Sequence, residues 1–282
     1  MKLITYSAFA KSHQPGLLID DAVYPVPFAT MLQLIEAGEK GLERARRAAD
    51  GKRIALADAT LHAPLLRPTT LRDAYAFETH VKTANANRDR EVPAEWYKFP
   101  VFYFSNPNNN YGHEDEIPCP PYTQALDYEL EIAVVIGKRG INIRPEDAPG
   151  HIFGFTIFND WSARDLQVQE MKVNFGPVKS KDFASSFGPV IVTLDELADK
   201  ATNRPGVYDL EMMARVNGSR SRNCDPCPSS LRMSIKPFSF LMFVRTTSMP
   251  TPRPDRSVAT SLVEKPGRKI NSRISRTPMV AS

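Results

Sequence analysis

Leu126–Lys138, LDYELEIAVVIGK, constrains this chain more than any other stretch. Asp127, Glu129 and Glu131 alternate, so on one strand all three carboxylates point to the same face. Ile132–Ile136 (IAVVI) follows at once, an apolar and β-branched run of the kind that forms a buried strand. Like charges on one face repel, and burying each costs on the order of several kcal/mol unless something compensates. Two arrangements satisfy the pattern. An edge strand can leave its acidic face in water, or a cation can sit against the carboxylates at the core boundary. For the second, hard oxygen ligands suit magnesium, calcium or manganese.

The 282 residues suffice for one large domain or two small ones, each with its own core. A hydrophobic fraction of 42% and a charged fraction of 24% match a soluble globular protein. No apolar run approaches the roughly 20 residues needed to span a membrane, and MKLITYSAFAKSHQ is too polar for a secretory signal. The cytoplasm is therefore the expected compartment, with no membrane partner. Three cysteines make no disulfide framework, and Cys224-x-x-Cys227 has no second CxxC or HxxxH to complete a zinc site. The net charge of +4 is uneven: residues 223–282 carry ten Lys/Arg against three Asp/Glu. The basic excess belongs to the tail, so no nucleic-acid partner is expected.

Residues 1–68 read as a small β-rich domain with a helical insert. Lys2–Tyr6, Gly16–Ile19 and Ala22–Tyr24 have strand character, and Met31–Ala49 carries a helical apolar stripe. In Thr69–Arg90, Thr70 and Asp73 take capping-box positions, which predicts a helix running through Tyr75, Phe77, His80 and Val81. Asp73 and His80 would then share a helical face, as a cap and a polar face residue or as parts of a site. Trp96–Ser105 reads as a buried strand, with Pro100 at a bulge. Ile152–Phe158 is a second buried strand. Ser162 and Asp165 predict a capped short helix on which Arg164 and Gln167 share a face. Tyr208–Asn217 alternates as a strand, and Asn217-Gly218 signals a hairpin whose second strand is not evident. Residues 223–282 hold eight prolines and no Trp or Tyr, and are expected to be a disordered basic tail.

Leu126–Glu131 followed by IAVVIG, together with Asn159–Gln167 (NDWSARDLQ), closely resembles the fumarylacetoacetate hydrolase superfamily. The resemblance spans roughly residues 70–220. It implies an α+β, mainly β fold, a mixed β-roll behind the small N-terminal domain, with 69–222 as the metal-binding catalytic domain. It implies a divalent metal, Mg2+ or Ca2+ with Mn2+ as a further candidate, held by Glu129, Glu131 and Asp160. Asp73 fits the family's D-x-Y-x(4)-H arrangement as a fourth ligand, which makes Tyr75 a substrate contact and His80 the general base. Arg164, Gln167 and Lys181 would hold the substrate's oxygens, with Lys181 and Arg164 supplying positive charge. Asp127 belongs to the motif's frame.

The activity so implied is metal-dependent hydrolysis of a C–C bond in a fumarylacetoacetate- or acylpyruvate-like β-dicarbonyl acid. Cleavage there needs an enolate leaving group, which a Lewis acid and fixed cations stabilise. The same fold also serves isomerases, hydratases and oxaloacetate decarboxylases. In the decarboxylase-like branch a glutamate stands three residues after the histidine, where this chain has Thr83. The family's last strands carry a Gly-Thr motif, and no Gly-Thr pair occurs here. An atypical C-terminal segment from about Arg220–Asn223, and with it an inactive relative, is the third expectation. A homodimer is the expected assembly.

Overall fold

Strands buried on both faces organise the molecule. In the computed structural model β1 (Lys2–Ala8), β11 (Ile152–Asp160) and β13 (Ser185–Val192) lie side by side, and nearly every side chain of β1 and β11 is buried. This is why they read as apolar runs rather than alternating patterns. The structure describes residues 1–9, 11–87, 89–211, 214–216 and 219–220. The tail beyond residue 220, with Cys224 and Cys227, lies outside them.

The main sheet has nine strands. Its path runs β10 (Leu130–Ile136), β11, β13, β1, β2 (Lys11–Ile19), β3 (Ala22–Pro25) and β4 (Ile54–Ala55). Off that path β5 (Thr60–His62) pairs with β1, and β8 (Asn110–Tyr111) pairs with β13. β1 and β13 are antiparallel, with Leu3 opposite Ile191 and Ile4 opposite Val190. The first 68 residues and the segment after them therefore share one sheet.

Alternation along these strands feeds two cores. Leu3, Leu17 and Ile191 face α1 (Met31–Glu36) and α2 (Glu39–Arg47), where Leu34, Ile35 and Ala45 are buried. Ile4, Leu18, Val190 and Val192 face the other side, against Phe155, Ile157, Leu197 and Leu210. Met31–Ala49 is broken into two helices. Gly38 ends the first turn set with φ of 57°, a left-handed conformation that glycine adopts without a Cβ clash.

Four local expectations change in the structure. Thr70 and Asp73 do not cap a helix: β6 (Leu71–Ala74) pairs with β7 (Phe102–Ser105), Asp73 opposite Tyr103, and α3 (Glu78–Ala86) starts later. Cross-strand bonds to β7 satisfy the backbone that a helix would otherwise have used. Only Phe102–Ser105 of the predicted Trp96–Ser105 strand is extended, and Phe104 is 70% exposed rather than buried. Ala94–Tyr97 forms a 3-10 turn, and Trp96 donates its indole N–H to the Tyr75 carbonyl at 2.7 Å. Ser162 and Asp165 do not form a capping box; Ala163 stands at the cap of α4 (Arg164–Glu170) with no side-chain bond. Finally, the hairpin does acquire a second strand, since β14 (Arg215–Val216) pairs with β15 (Ser219–Arg220).

The stretch that opened the chain's reading is also divided. β9 (Leu126–Asp127) pairs with β12 (Ser162–Ala163), while β10 pairs with β11. Between them the Glu129 N–H donates to the Asn159 side-chain oxygen at 3.0 Å instead of to a strand. Among the described residues β10 is an edge strand, not a fully buried one: Val135 is buried, but Val134 and Ile136 are 44% and 61% exposed. Among the described residues no helix is long and apolar enough to cross a membrane.

The two-sided core yields a contrast. Ile191→Ala, at a fully buried position, should cost about 2–5 kcal/mol. Val134→Thr, on the open face of the edge strand, should change stability by no more than about 0.5 kcal/mol. Urea unfolding monitored by circular dichroism distinguishes the two.

Candidate functional site

Four carboxylates converge where β6, β10 and β11 meet. Asp73, Glu129, Glu131 and Asp160 each place an oxygen within 4.8 Å of the others, and all four are buried. Asp73 arrives on β6. Glu131 is the second residue of β10 and Glu129 stands just before that strand, and both reach the cluster. Asp160 ends β11, and its N–H donates to the Glu129 carbonyl at 3.3 Å.

Among the described residues one ammonium group enters this cluster. Lys181 Nζ lies 2.6 Å from Glu129 Oε2, 2.6 Å from Asp160 Oδ2 and 2.8 Å from Ser162 Oγ. Two lysines precede the FASSF turn, and only one of them comes here: Lys179 is exposed and stacks over the Tyr122 ring at 4.7 Å. Arg164 approaches from the start of α4. Its Nε donates to Asp127 at 2.8 Å, its Nη2 lies 2.9 Å from Glu129 Oε1, and its Nη1 donates to Gln167 at 2.9 Å. Burial works to lower the Arg164 pKa, but Glu129 and Asp127 outweigh it and raise it, so this cation is permanent.

Tyr103 is a member that sequence reasoning missed. Its single O–H is shared between Asp73 Oδ2, at 2.9 Å, and Asp160 Oδ2. Burial, then the charges of Asp160, Asp73 and Glu129, hold its phenol well above the ordinary value, so it remains a donor. The available signal was its place on a strand facing Asp73, which a helical reading of residues 70–81 conceals. Burial also pushes the Asp160 carboxyl up to about 6, against the opposing pull of Lys181 and with help from Glu129 and Asp73.

The donor set fits a hard divalent cation. All four candidate ligands are carboxylate oxygens, as magnesium, calcium or manganese prefer. Asp160 Oδ1 is buried and has no hydrogen-bond partner among the described residues, an expensive state for a carboxylate oxygen unless a cation meets it. Tyr75 and His80 form a second group. Their rings meet edge to face at 5.1 Å, with His80 buried on α3 and Tyr75 just past β6. Asp127 is occupied with Arg164, outside the cluster of four.

The fumarylacetoacetate (FAA) hydrolase C-terminal family matches residues 69–239. The chain belongs to the fumarylacetoacetate hydrolase family. The match runs past residue 222, beyond the boundary expected for the family-like part. Human mitochondrial oxaloacetate tautomerase FAHD2A is 34% identical over 206 residues, covering 72% of this chain and 61% of its own length. The chain thus spans about three fifths of the length of that curated relative. A solved fumarylacetoacetate hydrolase from the psychrophile Exiguobacterium antarcticum is 29% identical, with a TM-score of 0.55 over 78% of this chain and 74% of that one. Maleylpyruvate hydrolase from Sphingobium sp. SYK-6, solved with manganese(II) and pyruvate, shares the fold at 21% identity. Its TM-score is 0.56 over 78% of this chain and 75% of its own. The mainly β, α+β architecture described above is that family fold.

In this family member the NDWSARD segment is braced from outside. The Asp165 carboxylate accepts Thr123 Oγ1 at 2.6 Å and the Gln124 N–H at 2.9 Å. Burial raises its pKa, but those bonds, with the Leu166 N–H, outweigh it and leave the pKa lowered. A depressed carboxyl stabilises the fold above its unfolded pKa, near ~3.9, and that contribution is lost as pH falls through the folded value. Asp165→Asn should therefore be less stable than wild type at pH 7 and pH 5 by similar margins. The margin should shrink by about pH 3, as urea midpoints at the three pH values will reveal.

Proposed function

We propose that this chain is a divalent-metal-dependent enzyme that cleaves a C–C bond in a fumarylacetoacetate- or acylpyruvate-like β-dicarbonyl acid. The observation that carries the reading is four buried carboxylates within 4.8 Å of one another with Lys181 and Arg164 against them. In the proposal Asp73, Glu129, Glu131 and Asp160 hold Mg2+, Ca2+ or Mn2+. The bound ion would supply Lewis-acid stabilisation of an enolate oxygen.

The chain's own residues do the rest. Lys181 and Arg164 place fixed positive charge where negative charge develops, in a site already shielded from water. His80 takes a proton from water so that the oxygen can attack the substrate carbonyl, and later returns it to the carbon of the leaving enolate. An imidazole has one ring nitrogen that can accept a proton and later release it, which suits both steps. Tyr75, whose ring fixes one side of His80, and Gln167, bonded to Arg164, contact the substrate's oxygens. Homodimer assembly, implied by the family resemblance, is part of the same reading.

A second reading is favoured by the human relative: tautomerisation of oxaloacetate or a similar 2-oxo acid. It uses the same enolate and a proton shuttle, but no attacking water. Purified full-length chain assayed with Mg2+ or Mn2+ against acylpyruvates and oxaloacetate separates the two. Hydrolysis predicts metal-dependent loss of the diketone absorbance with two acids as products. Oxaloacetate enol–keto exchange without diketone cleavage would replace the first reading by the second, and no turnover of either would refute both.

The residue roles give sharper outcomes. Glu129→Ala should weaken Mn2+ binding at least about 100-fold and abolish turnover. His80→Ala should keep Mn2+ affinity within about threefold of wild type and lose at least about 100-fold in kcat. Calorimetry and initial rates measure both, and a His80→Ala variant of undiminished rate would remove the histidine from its role.

A further inference from the structure

The turn that carries Lys181 is gripped from two sides. Glu170, the last residue of α4, receives four donors from the three residues before the lysine. Its Oε2 accepts the Val178 N–H at 3.0 Å and Ser180 Oγ at 2.5 Å; its Oε1 accepts the Lys179 N–H at 2.9 Å. The Ser180 N–H is shared between both oxygens at 3.3 Å. On the far side Asn106 and Asn109 donate their side-chain amides to the Asp182 carbonyl at 3.0 and 2.9 Å.

The grip closes an exposed connection. Between Glu170 and Val178 the chain passes through Asn174 and Gly176, both at positive φ, and Val173 and Phe175 are 75% and 84% exposed. Ser180, by contrast, is fully buried, and its carbonyl accepts the Ala163 N–H at 2.8 Å. Ser180 is thus the knot that ties the lysine's backbone both to the end of α4 and to the residue before Arg164. Burial raises the Glu170 pKa, but its bonds to Ser180 and to the turn's N–H groups outweigh that and lower it, which keeps the carboxylate ionised and those bonds charge-assisted.

We propose that Glu170 is a positioning residue. By holding Val178–Ser180 it fixes the Cα from which the Lys181 stem reaches Glu129 and Asp160. A lysine stem has four rotatable carbons and follows its Cα, and a displacement of about 1 Å is enough to cost a charged site much of its function. The proposal rests on the reading of Lys181 as part of the metal-binding site.

The test is a double-mutant cycle on the full-length chain, read by Mn2+ affinity in calorimetry: wild type, E170Q, K181M and the double variant. Lys181→Met removes an ammonium that shares the ligand oxygens, so Mn2+ binding should tighten about tenfold, and Glu170→Gln should tighten it about threefold through the same lysine. The double variant should bind no more tightly than K181M alone. An E170Q shift that persists in full when Lys181 is absent overturns the positioning role and leaves the metal site standing, as does wild-type affinity in E170Q. Unchanged affinity in K181M instead removes the lysine from the site, and the proposal with it. Where E170Q does not fold, Ser180→Ala takes its place in the cycle; it removes one donor and should give a smaller shift in the same direction, again absent without Lys181.

Discussion

The Lys181 ammonium, wedged between Glu129 and Asp160, is the contact on which the described site depends. Glu129 and Asp160 are buried completely or nearly so, and Asp73 and Glu131 lie beside them. Four carboxylates in so small a volume repel, and no core packing offsets that. Among the described residues Lys181, Arg164 and the Tyr103 hydroxyl act against it. Their sequence separations are large, so the cluster forms only once β6, β7, β10, β11 and the 178–182 turn have all docked. The polar centre is complete only in the assembled fold.

The sheet explains why the centre sits where it does. β10 and β11 are registered with Leu130 opposite Asn159 and Glu131 opposite Phe158. Glu129 has already left the ladder, because Asn159's side-chain oxygen has taken its N–H. That departure lets β9 turn aside to pair with β12, which carries Ser162 to the lysine and Arg164 to Asp127. A continuous strand from Leu126 to Lys138 could not do this. The main sheet's edge is therefore where apolar pairing ends and charge begins, and the switch falls within three residues.

This also decides what was legible in the sequence. Apolar strands announced themselves: Lys2–Tyr6 and Ile152–Phe158 lie in the sheet as their composition requires. The alternation put Asp127, Glu129 and Glu131 on one face; Glu129 and Glu131 do share the cluster, but Asp127 lies on β9 against Arg164, and the NDWSARD resemblance named the family. Residues 70–81 misled, because a capping-box pattern is a local signal, whereas β6 exists through its pairing with a partner some thirty residues away. Tyr103 was hidden for the same reason. The IAVVI run looked fully buried because composition cannot distinguish a central strand from an apolar edge; only the neighbour count of β10 in the sheet does.

Arg164 shows how geometry narrows a role that resemblance leaves broad. A guanidinium has five N–H groups in a fixed plane. Here each of its three nitrogens already has a partner: Nε on Asp127, Nη2 on Glu129 and Nη1 on Gln167. Two N–H groups remain for anything else. The residue is therefore first a brace that orients Glu129 while Asp127 orients it, and any substrate oxygen it meets must approach along the directions left open. Lys181 is equally committed, with three acceptors for its three N–H groups. A cation can meet Asp160 Oδ1 without disturbing the lysine, whereas engagement of Glu129 Oε2 or Asp160 Oδ2 competes with its bonds and couples binding to rearrangement of Lys181. That coupling makes the backbone on which the lysine is mounted as consequential as the ligands themselves.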